Sequence, residues 1–439
     1  MIRLLGDEML QWSDPAPVRG EALFPLVAVA HGRTLIAGPH GPALIGQVPA
    51  DDLTLLVRGL TDGEALAARF PAATVCVGGL AKFTAGPPFD TVIALAGLEP
   101  LTSAEGVELS WGESLDLLLG LLRPGGTLLL GVENFLGLHR LVALPSRPTD
   151  ADWAPVAEHD PTRPRGLRRV RDRVGVATSA FAVYPSLSAP TLVLDADDLD
   201  REEHLGALSA LITRAVEPSA PVLTDPRRLA VETLRHGTAA DVAPAWIVTA
   251  GVRVDLARAL PSGRTLQDLL LEAALGRDLP TVRELLGRWW DGPCAGVPAD
   301  QIVVGSEWVA LAPAGDHGAA LLRFATDLID GGYPHPWPAP PGPADLAVTL
   351  AAMTGRTIDP PAPADRPDLV LRDLVAARDR LTAELAEARA KHLWYEQMLV
   401  SREQALQRAR YLLGASAPVR AVVSGARAAK RTLRVLRPR

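Results

Sequence analysis

Phe89-Asp90-Thr91-Val92-Ile93-Ala94-Leu95 and, further along the chain, Leu122-Arg123-Pro124-Gly125-Gly126-Thr127-Leu128-Leu129-Leu130 together decide the fold class. Each contains a short, nearly continuous apolar run, the pattern of a parallel strand covered on both faces. Between them Ser110-Trp111-Gly112-Glu113 reads as a capping box that opens a helix over 115–122. Pro124-Gly125-Gly126 then turns the chain into the next strand. Working outward, further apolar runs at 34–37, 53–57 and 74–77 predict strands, with a second capping box at Thr61-Asp62-Gly63-Glu64. Strands alternating with helices give right-handed crossovers and an open α/β sheet. Two more strands, 174–184 and 191–194, flank the turn-rich 185–190 and are expected as an antiparallel pair at the sheet edge.

The chain has 439 residues, 48% hydrophobic and 22% charged, long enough for more than one folding unit. Its 38 Gly and 39 Pro follow no triplet period, which excludes a collagen-like chain. Cys76 and Cys294 are its only cysteines, too few for a disulfide framework or a four-cysteine zinc site. The nine histidines show no helical pairing, so no metal site is expected. No apolar run reaches the ~18–20 residues of a membrane span, and MIRLLGDEML lacks the long apolar region of a signal peptide. The expectation is a soluble cytoplasmic protein with no specific nucleic-acid binding.

Net charge is −7, but residues 417–439 carry seven basic side chains and no acid, which leaves −14 for the rest. Such a tail is either simply solvated or a contact for anionic membrane. Residues 201–330 mix helical patterns at 203–216, 226–236, 266–275 and 282–290 with strands near 246–254 and 301–312, a second α+β unit. Ten prolines between 331 and 368 predict a semi-rigid spacer, interrupted by a helix near 344–353. Residues 371–413 contain no Gly or Pro and predict a helix of roughly 65 Å. Its imperfect heptad seam (Leu371, Arg378, Leu385, His392, Leu399, Leu406 and Leu413 on one row, Leu374, Leu381, Ala388, Tyr395, Arg402 and Ala409 on the other) leaves open a coiled coil, hence a homo-oligomer or another partner, or a helix packed on its own body. The domain reading is therefore 1–200 sheet domain, 201–330 α+β domain, 331–368 linker, 369–413 helix and 414–439 basic tail.

The segment 33–134 resembles the class I S-adenosylmethionine-dependent methyltransferases. The motifs that carry this are Thr34-Leu-Ile-Ala-Gly38-Pro-His-Gly41 after the first strand, Phe89-Asp90 at the fourth, and Leu122-Arg-Pro-Gly-Gly before the fifth. The resemblance implies a Rossmann-like fold, S-adenosylmethionine as cofactor and methyl transfer as the reaction. Gly131-Val-Glu133-Asn134-Phe-Leu-Gly137, with Tyr184-Pro185 and Pro190-Thr191, resembles methyltransferase-like proteins of bacterial surface-glycan clusters and implies a sugar or glycan-precursor acceptor.

Carried over position by position, the resemblance implies cofactor contacts at Gly38, His40 and Gly41 in the glycine loop, at Arg58 after the second strand, and at Gly79 and Leu80 after the third. Three family features are replaced: Ile36 stands for an acid, Arg58 for the ribose-binding carboxylate, and Gly79 for an aspartate at the adenine. Asp62 and Glu64 are candidate substitutes for the ribose contact. A protein of this fold that has lost catalysis and assembles glycan-synthesis enzymes is the alternative. Glu133 and Asn134 end the fifth strand, where open α/β sheets place ligands. Glu133 is read as a base and Asn134 as an acceptor contact, against the alternative of loop residues capping a helix at 137–144; His139 is either an acceptor contact or a solvent-facing residue of that helix. His40 is either a catalytic imidazole or a turn residue. Six arginines between 163 and 173 are either an acceptor-binding cluster or the solvated face of a helix.

Overall fold

The computed structural model describes the chain apart from positions 12, 15, 85, 104–105, 145–159, 176–177, 219–220, 257, 338–341, 361–370 and 416–439. The basic tail beyond 415 and the centres of both proline-dense stretches thus lie outside the described residues. The chain divides into two compact units, Met1–Leu369 and Val370–Arg439.

The first unit is built on a nine-stranded sheet. Its strands are β1 (Ile2–Gly6), β2 (Arg33–Ala37), β3 (Asp52–Val57), β4 (Thr74–Gly78), β5 (Phe89–Ala94), β6 (Leu122–Glu133), β7 (Thr178–Tyr184), β8 (Leu192–Asp195) and β9 (Ala245–Ala250). They lie in the order β1-β4-β3-β2-β5-β6-β9-β7-β8. The six from β1 to β6 are parallel, while β9 pairs antiparallel with both β6 and β7, and β8 antiparallel with β7. Chain order reverses direction between β2 and β5, which makes their carboxyl ends a topological switch point.

Alternation along the strands explains why the sheet is covered on both sides. Leu128 and Leu130 face one core with Trp111, Leu115 and Leu118 of the helix Trp111–Gly120. Leu129 faces the other with Ile93, Leu26 and Leu66. The sheet is Rossmann-like and doubly wound. Pro124-Gly125-Gly126 forms a bulge inside β6, since Phe89 pairs with Leu122 and Thr91 with Thr127, two steps on one strand against five on the other.

A second core gathers the helices Leu266–Leu275, Leu279–Asp291, His317–Asp330 and Pro343–Met353 with the small sheet β10 (Arg264–Thr265), β11 (Ile302–Val304) and β12 (Trp308–Ala310). The second unit contains the helix Leu371–Ala415.

Several expectations are corrected. The strand near 246–254 does not belong to the second α+β unit: β9 enters the main sheet between β6 and β7, so the sheet extends past residue 200. The helix expected near 344–353 forms as Pro343–Met353, but it packs into the body rather than interrupting a spacer, because Leu346, Ala347 and Leu350 are fully buried in the second core. The expected strand at 174–184 begins only at Thr178, and Val174 ends the helix Leu167–Val174. The Ser110–Glu113 capping box forms, with Glu113 N–H donating to Ser110 Oγ at 3.2 Å and Ser110 N–H to Glu113 Oε2 at 2.9 Å. The Thr61–Glu64 box does not: the helix Leu60–Arg69 starts earlier, at Gly59, and Met9 O accepts the Leu60 N–H. β1 and the helix His317–Asp330 lie outside the expectations altogether.

Candidate functional site at the carboxyl edge of the sheet

Each parallel strand delivers its following loop to one edge. After β2, Gly38 adopts φ 94°, a region that disfavours any side chain, and its N–H donates to Leu56 O at 2.8 Å. That turn carries His40 inward until it is 4% exposed. Leu95 N–H donates to His40 Nε2 at 3.2 Å, so the ring proton sits on Nδ1, 3.0 Å from Gly38 O. Burial lowers the His40 pKa to about 4, against the raising effect of the Gly38 hydrogen bond. His40 is therefore neutral with both nitrogens engaged; it ties the loop to the end of β5 and has no nitrogen left to serve as a catalytic base.

The segment following β1 lies across this edge. Val18 N–H donates to Pro39 O at 2.9 Å and Gly41 N–H to Val18 O at 2.8 Å. Gly41, expected to contact a cofactor, thus gives its amide to the chain itself. At the end of β3, Arg58 is also internally satisfied: its Nη2 and Nε donate to Asp14 Oδ1 at 2.6 and 3.2 Å, and its Nη1 to Thr102 O at 3.1 Å. Asp62, a candidate ribose contact, instead accepts the Asp14 N–H at 2.9 Å and anchors that segment. At the end of β4, Gly79 N–H donates to Gly6 O at 3.3 Å, Leu80 is buried, and a Cβ on Gly79 would rest 3.5 Å from Asp7 Cβ.

Asp14 is the site residue that motif reading misses, and Asp7, beside Gly79, is a second acid at this edge. Both acids lie beside positions where the family pattern has lost one. Their only sequence signal is weak: Asp14-Pro15 reads as a turn. The Asp14 side chain is 6% exposed, and its Oδ2 is buried without a hydrogen-bond partner among the described residues.

At the end of β6, Glu133 Oε1 accepts from His139 Nε2 at 3.2 Å and from Arg140 Nε at 3.1 Å. Burial pushes the Glu133 carboxyl up, but the hydrogen bonds and charges of His139 and Arg140 outweigh it and hold the group below the usual carboxylate range. His139 Nδ1 is buried in the Gly137 turn, where a Cβ on Gly137 would fall 2.7 Å away. The imidazole thus serves Glu133 more directly than an acceptor. Asn134 is not available to an acceptor through its amide hydrogens: Nδ2 donates to Asp241 O at 2.7 Å and Ala243 O at 2.8 Å, stitching this loop to the approach of β9.

The arginine run divides. Arg163 bonds Glu99 and the Glu133 carbonyl and lies 4.0 Å over the Phe135 ring, while Arg171 and Arg173 pair with Asp197 and Asp116. Leu167, Val170 and Val174 form the buried face of their helix, and Arg168 and Arg169 are exposed.

Between these loops lies a cavity of about 320 Å³, lined by Asp14, Pro39, Ala96, Glu133, His139 and Ser188, among others. Of the residues read from sequence, Glu133 and His139 line it; Gly38, His40, Gly41, Arg58, Gly79, Leu80 and Asn134 are not among its lining residues.

No family model matches the chain, and no curated protein matches it. Among solved structures, it is similar to the N-methyltransferase NodS from Bradyrhizobium japonicum, with 18% identity over 26% of this chain and 62% of that one and a TM-score of 0.20. It is also similar to CalS10, an amino pentose methyltransferase from Micromonospora echinaspora, with 21% identity, 25% and 46% coverage and a TM-score of 0.19. For a SAM-dependent methyltransferase from Geobacter sulfurreducens in complex with S-adenosyl-L-homocysteine the values are 15% identity, 55% and 93% coverage and a TM-score of 0.28. The chain spans less than two thirds of the length of the first two of these. No helix among the described residues is long and apolar enough to cross a membrane.

Proposed function

We propose that the chain binds S-adenosylmethionine at the carboxyl edge of its sheet and methylates a hydroxyl oxygen of a sugar or surface-glycan precursor. The observation that carries this reading is Asp14. It stands beside Arg58, where the family pattern calls for a carboxylate, and keeps a buried, unpartnered oxygen on a residue that lines the cavity. A buried oxygen of this kind accepts a hydrogen bond from a ligand hydroxyl, worth about 1.5–3 kcal/mol when charge-assisted. Arg58 fixes Asp14 from one side and Asp62 from the other.

S-adenosylmethionine, when bound, supplies a sulfonium methyl carbon open to attack by an oxygen nucleophile. Glu133 takes the proton of the acceptor hydroxyl. His139 and Arg140 orient it through Oε1 and leave Oε2 outside those two bonds. Its depressed pKa keeps it ionised and ready to accept, at the cost of basicity. The acceptor class rests on the resemblance of 131–191 to glycan-cluster proteins.

A second reading is favoured by the strap over the glycine loop. Val18 takes the Gly41 amide and Arg58 is fully engaged, as in a methyltransferase-like binding protein without catalysis. Calorimetry with S-adenosylhomocysteine separates the two. Methyl transfer predicts a dissociation constant tighter than about 100 µM, abolished by Gly38→Asp and weakened by roughly tenfold or more in Asp14→Asn. No detectable heat with the folded protein rejects the enzyme reading in favour of the second.

A further inference from the structure

The helix Leu371–Ala415 belongs to its own compact unit, and its large apolar side chains face water. Leu381 is 64% exposed, Leu385 50%, Tyr395 60%, Leu399 67% and Leu406 62%. These five recur at the two seam positions of one heptad frame, with Leu374, Ala388 and Ala409 also on the second row. Such a stripe calls for a partner helix. What identifies the partner is the charge that flanks it.

With Leu385, Leu399 and Leu406 at position a, position g holds Glu384, Lys391, Met398 and Ala405, and position e holds Arg389, Glu396, Glu403 and Arg410. In a parallel, in-register pair each g side chain faces the e side chain five residues further along the partner. Glu384 then meets Arg389, and Lys391 meets Glu396, in both directions across the seam. Met398 meets Glu403 and Ala405 meets Arg410, so no like charges are opposed at the g and e positions. In the single chain these groups are exposed and paired only along their own helix, as in Lys391–Glu387 at 2.6 Å and His392–Glu396 at 3.3 Å. Both are solvent-screened contacts of little energy. The flanking charges therefore complement a second copy of the same sequence in a parallel, in-register pair.

We infer that this helix is the dimerisation element of the protein and pairs with a second copy of itself as a parallel, in-register coiled coil. Three side chains temper it. Arg378 and His392 lie at a and Arg402 at d, polar residues that weaken a seam and restrict its register. This inference is independent of the proposed methyl transfer.

Light scattering of the full chain is expected to give twice the 46.5 kDa chain mass. Ala409→Cys, near the end of the helix, is expected to cross-link as a disulfide dimer under mild oxidation. In-register parallel chains bring the two copies of position d together there, and antiparallel ones do not; Cys76 and Cys294 are buried and do not compete. The double variant Glu384→Arg/Lys391→Glu places like charges against Arg389 and Glu396 and is expected to raise the dimer dissociation constant roughly ten- to a hundredfold. Adding Arg389→Glu and Glu396→Lys restores opposite signs and dimerisation, which a folding defect does not. A monomeric full chain, a larger assembly, an uncrosslinked Ala409→Cys dimer, or a double variant that dimerises normally each overturns the inference.

Discussion

The loops that follow β2 and β6 reach the same edge of one sheet, and each carries a histidine, yet they use their polar groups in opposite ways. After β2, His40 is 4% exposed with both nitrogens bonded inside the chain, and Gly41 gives its amide to Val18. After β6, Glu133 is 40% exposed, lines the cavity, and is held on one oxygen by His139 and Arg140. The first loop is architecture; the second presents a charged group to a space that a ligand can fill. Residue type does not separate them. Burial and the partner of each polar atom do.

The contrast is most exposed to test at Arg58, which pairs with Asp14 on the segment whose Val18 bonds the first loop. Arg58 and Asp14 are 9% and 6% exposed in their side chains. Removing one partner of a buried pair strands the other charge, a loss of about 3–5 kcal/mol. Arg58→Ala is therefore expected to lower the urea midpoint sharply. A change below about 1 kcal/mol would mean that the pair is solvated and the edge is not closed here.

That pair also marks where sequence reasoning stops. β2 to β6 are legible because strands covered on both faces read as continuous apolar runs. β1 is not: it is a five-residue edge strand whose first three residues are exposed, so no apolar pattern announces it. β9 is legible as a strand, but its place is set by pairing with β6 and β7, far away in the chain. The same holds for the site. Gly38 and Gly41 are visible as a turn, whereas Asp14 meets Arg58 across 44 positions and no local spacing records it. His40 is visible as a residue, but Leu95, 55 positions on, decides which ring nitrogen carries its proton.

His40 yields the next largest effect and a pH signature. An unfolded histidine titrates near 6.5, whereas burial holds the native His40 at about 4. Between these values the unfolded chain binds a proton that the native one refuses. Stability therefore falls as pH drops from about 6.5 to about 4, by roughly 3 kcal/mol, and His40 contributes no slope above that window. Chemical denaturation at pH 7, 6, 5 and 4 is expected to trace this loss in the parent protein and a shallower one in His40→Gln. Parallel curves for the two proteins would place His40 in water and erase the difference between the loops.

Glu133→Gln should change stability least and sharpen the comparison most. The carboxylate is 40% exposed and its partners Arg140 and His139 are 35% and 29% exposed, so solvent screens the pairs and their loss costs at most about 1 kcal/mol. Glutamine retains an oxygen that accepts from His139 and Arg140, and the loop keeps its shape. What it removes is the site that takes a proton, a contribution typically of about 10²–10⁴ in rate. The variant is expected to unfold at nearly the same urea concentration as the parent, bind S-adenosylhomocysteine equally, and transfer methyl groups far more slowly. If it instead loses stability on the scale of Arg58→Ala, the corner after β6 is architecture as well. The cavity would then have no reactive wall among the residues assigned to it, and the binding-protein reading would follow.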